Sequence, residues 1–163
     1  MKICFDMVGN EKEAMMVIEV PVSELIYKSD GLTYLAAEPF SGIAYSIAEN
    51  GKREEETSYV DGLRSGLSRA WSDDGQLVEE ATYWGDVFHG SARTWYDNGQ
   101  LEREGEYEYG IALRERSWDE EGHLLSDYTL SKDDGQYKFL EELRRIYRGS
   151  TEGGRDDLGS KES

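Results

Sequence analysis

A period of 24 residues runs through the middle of this chain and limits what it can fold into. The segments SGIAYSIAENGKREEETSYVDG, SGLSRAWSDDGQLVEEATYWGD and HGSARTWYDNGQLEREGEYEYG begin at Ser41, Ser65 and His89. Their first glycines are Gly42, Gly66 and Gly90, and a turn glycine follows nine residues later at Gly51, Gly75 and Gly99. A degraded fourth copy, ALRERSWDEEGHLLSDYTL, has Leu113 in the first glycine's place and keeps its turn glycine at Gly122. A half copy, SDGLTYLAAEPFSG, precedes them all. Further columns recur at matched spacing: Ile47, Trp71, Trp95, Trp118; Arg53, Leu77, Leu101, Leu124; and Tyr59, Tyr83, Tyr107, Leu130. Self-similarity at this period marks an array in which each unit buries itself against the next.

Each copy spells a short strand, a DNG or DDG turn and a second strand, which is a β-hairpin. The expected fold is mainly β, an antiparallel meander of stacked hairpins. Register decides which columns share a face. A two-residue turn sets Trp95 opposite Glu102; a type I turn with a glycine bulge sets it opposite Leu101. The bulged turn gathers the Trp, Leu and Tyr columns on one face, as burial demands, and is the one expected. The other face then carries a column of acids, Glu56, Glu80, Glu104 and Asp127, with Glu54, Glu102 and Glu106 beside them. Small residues, Ser46, Ala70, Thr94 and Ser117, face that column. Arg69, Arg93 and Arg116 are expected on the Trp face, beside the tryptophans and paired with Glu55 and Glu79. The acid ladder is open to two explanations, solubility of an open sheet and a docking surface for a basic partner.

The flanks differ from the array. Residues 1–29 hold KICFDMV and a strand-like run from Met15 to Val20, expected as strands that cap the first repeat. The repeats occupy 30–130. In 131–149, Asp133 and Asp134 are N-cap candidates for a C-terminal α-helix whose apolar residues Tyr137, Leu140, Leu143, Ile146 and Tyr147 recur at helical spacing. Gly149 is expected to end this helix, and its apolar side to cover the exposed edge of the last hairpin. The tail 150–163 is polar, Gly/Ser-rich and expected to be disordered.

Charge narrows the partners. Thirty-five acidic against 18 basic residues give a net charge of −17, which opposes binding to nucleic acid or to an anionic membrane. The same charge favours steered association with a basic protein. The single cysteine, Cys4, makes no internal disulfide and fits a reducing, cytoplasmic setting. The N-terminus lacks the apolar core and cleavage site of a signal peptide, and no stretch is long and apolar enough for a spanning helix.

The sequence shows no catalytic constellation. His89 and His123 occupy variable turn positions and are expected to be surface histidines. No nucleophile elbow or phosphate loop is visible. DEEG and DDG are turns, not a calcium loop. Neither a catalytic residue, a metal site nor a cofactor is expected.

The units GSARTWYDNGQLEREGEYEYG and GLSRAWSDDGQLVEEATYWGD, with the lead-in EPFSGIAYSIAENGK, resemble the MORN-repeat variant of bacterial antitoxin and immunity proteins of the YwqK type. The likeness covers roughly Asp30 to Leu130; Ile47, Arg53 and the missing fourth glycine depart from it. The resemblance implies stacked hairpins and a non-catalytic, protective role, in which the protein binds a cognate secreted toxin and inactivates it. Such toxins are often nucleases or nucleic-acid deaminases, whose clefts are basic. The expected contact residues are Glu54, Glu56, Glu80, Glu102, Glu104, Glu106 and Asp127, or the turn acids Asp73, Asp74 and Asp97, on a protein that is monomeric when free. The alternative is a structural scaffold of the eukaryotic MORN type, acting through self-assembly or membrane-associated partners.

Overall fold

The computed structural model describes residues 17–152; the expected strand around Cys4 and the tail from 153 onward lie outside the described residues. At each repeat turn the main chain closes twice. Tyr96 N–H donates to Gln100 O at 2.9 Å and Gly99 N–H to Tyr96 O at 2.8 Å, with Gly99 at φ +83°. The same two bonds close the turns that start at Ala48, Ser72 and Asp119. This is the type I turn with a glycine bulge, and it sets Trp71 opposite Leu77, Trp95 opposite Leu101 and Trp118 opposite Leu124.

The strands so joined are β5 (Gly42–Ile47), β6 (Arg53–Val60), β7 (Leu63–Trp71), β8 (Leu77–Trp84), β9 (Val87–Trp95), β10 (Leu101–Glu108), β11 (Ile111–Trp118) and β12 (Leu124–Thr129). Successive hairpins connect through two-residue turns, Asp61–Gly62, Gly85–Asp86 and Tyr109–Gly110, whose six residues all have positive φ. That is the type I′ pairing, whose twist matches the flanking strands. The meander therefore has two unlike ends, one of bulged turns and one of tight turns.

The first strand, β1 (Glu19–Pro21), joins β5 in parallel, so the sheet runs β1-β5-β6-β7-β8-β9-β10-β11-β12. Among the described residues the cap at this edge is this one parallel strand. A separate three-stranded sheet, β2 (Leu25–Tyr27), β3 (Thr33–Leu35) and β4 (Glu38–Pro39), spans the expected boundary at Asp30. Between the two sheets lies a small core of Val20, Phe40 and Ala44, with Leu25, Leu35 and Tyr59 packed against it.

One expectation about register fails, for a definite reason. After Trp95 pairs with Leu101, the next pair is Thr94 with Arg103, so Glu102 is an extra residue in β10. Val78 plays the same part in β8, Glu54 in β6 and Leu125 in β12. A one-residue insertion moves everything beyond it to the other side of the sheet. Tyr59, Tyr83 and Tyr107 therefore lie on the face opposite the tryptophans, and the acid column lies on the tryptophans' own face. We call the two sides the tryptophan face and the tyrosine face.

A second bulge explains the periodic first glycine. Ala81 pairs with Ala92 but Tyr83 with Phe88, which leaves Gly90 inside the bulge at φ +108°. A Cβ on it would stand 3.3 Å from Thr82 Cβ. Gly66 repeats the geometry at φ +102° against Ser58. In the fourth copy the bulge between β10 and β11 is one residue smaller, and Leu113 fills it.

The helix α1 (Gly135–Glu152) starts at Asp134, whose Oδ1 accepts the Gln136 N–H at 2.9 Å. It runs past Gly149, which does not end it. Nor does it shield the last hairpin's edge, since all six residues of β12 are exposed. Its described contacts lie at the tight-turn end of the tryptophan face. Tyr147 stacks on Tyr109 at 4.9 Å and meets Trp84 edge-on at 4.8 Å, and Arg144 Nε donates to Glu108 Oε1 at 2.8 Å. Aromatic rings and a carboxylate hold the helix there, whereas β12 offers only water-exposed side chains. Leu140, within the helix, is fully buried.

Candidate protein-interaction surfaces

The acid column meets arginine at every step. Cross-strand partners run Glu56, Arg69, Glu80, Arg93, Glu104, Arg116, Asp127 without interruption from β6 to β12. Arg69 Nε donates to Glu80 Oε2 at 2.9 Å and Nη1 reaches Glu56 Oε1 at 3.4 Å. Arg53 adds a 2.6 Å contact to Glu56, Arg93 lies 3.9 Å from Glu104, and Arg116 lies 3.2 Å from Asp127. The expected unrelieved acid ladder is therefore a row of alternating charge, because the bulge brings the acids onto the arginines' side. Glu56 and Glu80 serve Arg69, not Glu55 and Glu79. Among the described residues the cation–π contacts fall on Tyr34, Tyr45 and Tyr83, not on the tryptophans.

The neighbouring acids scatter. Glu54 accepts from Ser46 Oγ at 3.2 Å. Glu106 joins Arg93, Glu104, Arg114 and Arg116 around a depression of about 180 Å³ on the tryptophan face. Glu102 lines a groove of about 280 Å³ floored by Ala81 and Ala92 and walled by Phe88, Tyr107, Glu79 and Arg103. The signal for this rearrangement, an extra residue after each bulged turn, is absent from the column spacing because every copy carries it.

Along that groove Tyr83, Phe88 and Tyr107 pack ring to ring at 4.9 and 5.1 Å. Tyr107 folds over Gly105, where a Cβ would stand 2.5 Å from its Cε2. Its hydroxyl donates to Glu115 Oε2 at 2.6 Å. Burial, followed by this bond, pushes the phenol up to about 12. A folded value above that of the free chain gives stability that is complete below pH 10 and lost as pH climbs toward 12. Burial also raises Tyr59 and Tyr83, so the loss is shared. Urea midpoints taken between pH 9 and 11.5 should fall less steeply for Tyr107→Phe than for the parent; equal slopes refute the assignment.

The bulged-turn end carries the acid excess. Its four loops hold Glu49, Asp73, Asp74, Asp97, Asp119, Glu120 and Glu121 against one lysine, Lys52. Asp73, Asp74 and Asp97 are exposed. Adjacent turns are bonded together: Asn50 Nδ2 donates to Asp73 O at 2.7 Å, Lys52 Nζ to Asp74 O at 2.6 Å and Asn98 Nδ2 to Glu120 O at 3.1 Å.

Both histidines have structural partners. His89 is half-buried, its Nδ1 accepts the Tyr109 N–H at 3.3 Å, and its ring lies beside Trp84 and Tyr109. It is therefore part of the helix-docking cluster and not a surface residue. Asp119, Glu121 and His123 bring ligand atoms within 4.8 Å of one another. Asp119 Oδ1 already accepts the His123 and Glu121 backbone N–H groups, and the His123 backbone bond above all, with the His123 ring on Oδ2, holds its carboxyl below the usual range. The cluster is thus accounted for by the turn's own hydrogen bonds.

Comparison with known proteins gives two kinds of result. Residues 64–84 and 88–109, the second and third copies, match the MORN repeat variant. Over 110 residues, 68% of this chain and 71% of the relative, the sequence is 56% identical to "Immunity protein YwqK" of Bacillus subtilis (strain 168). Among solved structures, a mutant of S. aureus TarM in complex with fondaparinux, α-GlcNAc-glycerol and UDP overlaps 65% of this chain and 19% of its own, at 12% identity. Its TM-score of 0.34 is too low to bear on fold or function.

Proposed function

This chain belongs to the MORN-repeat variant family that includes immunity protein YwqK, and we propose on that premise that it is an immunity protein. It neutralises a cognate toxin in the cytoplasm by direct protein–protein binding, with no chemistry of its own. The observation that carries this is the 56% identity to a protein named for immunity. The toxin is a nuclease or nucleic-acid deaminase with a basic cleft, since a net charge of −17 suits a partner that handles nucleic acid.

Within the expected contact residues, the turn acids are favoured over the sheet acids. Asp73, Asp74 and Asp97 stand free in water, whereas Glu56, Glu80, Glu104 and Asp127 are shared with arginines. An acid already paired adds less long-range steering than an unpaired one.

The experiment is protection. The toxin captured by the tagged chain from its native host is expressed in cells with and without the chain. Restored growth together with a co-purifying complex is the expected result. Unrelieved toxicity from every captured protein overturns the proposal.

A further inference from the structure

The tryptophan face has a second apolar zone at the other end of the strands from the ring and ion-pair contacts of the helix. Trp71, Trp95 and Trp118 lie next to the bulged turns, each opposite a leucine, and form one row with Leu77, Leu101 and Leu124. Leu124 is 54% exposed and the tryptophans are half-buried. Tryptophans in equivalent strands are about 10 Å apart, so the row extends about 20 Å. None of the described contacts of α1 falls on it; they lie at Trp84, Glu108 and Tyr109, at the far end of the strands.

The two ends of the sheet also differ in charge. At the tight turns Asp86 pairs with Arg64 and Glu108 with Arg144. At the bulged turns the exposed acids border the tryptophan row, and the lone Lys52 is spent on the carbonyls of Asp73 and Asp74. The turn-to-turn bonds hold this border in place, as does Tyr96 Oη on Trp118 O at 2.9 Å. Tryptophan is the residue most enriched among those that dominate interfaces, and a rigid surface loses little freedom on binding. The groove on the tyrosine face lacks this sign preference, because Glu79, Glu102 and Arg103 line it together.

We propose that the row of Trp71, Trp95 and Trp118 with its acidic turn border is the surface on which the partner docks. The partner presents a positively charged surface with large apolar side chains that seat between the tryptophans. This rests on the immunity role for the identity of the partner, but not for the chemistry of the surface.

The test uses the full chain, nitrogen-labelled, with its four indole N–H resonances as reporters; Trp84, beneath Tyr147, is the internal control. A short lysine–leucine peptide, an all-lysine peptide and a glutamate–leucine peptide are the probes. The lysine–leucine peptide should move the resonances of Trp71, Trp95 and Trp118 and leave Trp84 in place. It should bind about 10-fold more tightly than the all-lysine peptide, and the glutamate–leucine peptide should not bind. Asp73→Lys with Asp97→Lys, at exposed turn positions, should weaken the lysine–leucine peptide about 10-fold. Equal binding of the all-lysine peptide, movement of Trp84 alone, or an unchanged affinity in the turn variant overturns the proposal. A chain that protects cells while its three indoles stay silent loses this surface and keeps its immunity role. A chain that binds the peptide as described but protects no cell keeps the surface and loses that role.

Discussion

Phe40→Ala should destabilise the protein by about 3–5 kcal/mol, the range for deleting a large buried ring. Phe40 is 2% exposed and its ring meets that of Tyr59 at a centroid distance of 5.7 Å. It also joins the two sheets through the main chain: its N–H donates to Thr33 O at 2.9 Å and its carbonyl accepts from Gly62 N–H at 2.8 Å. The ring lies so close to Gly42 that a Cβ there would stand 2.8 Å from Phe40 Cζ, so this neighbour has no side chain with which to fill the space. In a quasi-linear array the loss should begin locally, since each unit touches only its neighbours. Amide exchange in β5 and β6 should quicken before that in β9 and β10, and the urea midpoint should fall. A midpoint shift worth less than about 1 kcal/mol would mean that the ring is not what seals this end.

Leu140→Ala should cost about 2–5 kcal/mol and should act on the helix, leaving the sheet intact. Among the described residues Leu140 is the largest fully buried side chain, and the described partners that hold α1 beyond it are Tyr109, Trp84 and Glu108. Trp84 is already 44% exposed, so removing Tyr147 from it should move the Trp84 indole resonance and spare those of Trp71, Trp95 and Trp118. Protection of the helix amides should vanish while β8 to β11 keep theirs. Simultaneous loss in helix and sheet would make the two one cooperative unit and refute a separately docked helix.

Much of the architecture was legible because it depends on local rules repeated at a fixed period. Gly75, Gly99 and Gly122 dictate a bulged turn wherever they occur, and the first cross-strand pair, Trp opposite Leu, follows from turn geometry. Asp134 is legible as a cap because an N-terminal N–H needs an acceptor. The faces were not legible. Val78 and Glu102 sit where a regular strand and a bulged one read alike, and one added residue reverses the side on which Tyr107 and Glu104 point. Alternation therefore gave the right first pair and the wrong far half of each strand. His89 was likewise misplaced, because its partners Trp84 and Tyr109 come together only across a turn.

By itself the sequence determined the repeat, the bulged turn, the strand order of the hairpins, the acidic balance and the existence of the helix. Each is set by interactions within a few residues, or by the copy-to-copy identity that makes neighbours stack. Only the tertiary structure decided which acids meet arginines, where the helix lies and which rings it contacts. Those outcomes depend on bulge parity summed along a strand and on contacts between residues as distant as Glu108 and Arg144. Such contacts are chosen by the packing of whole strands, which no short stretch of sequence encodes.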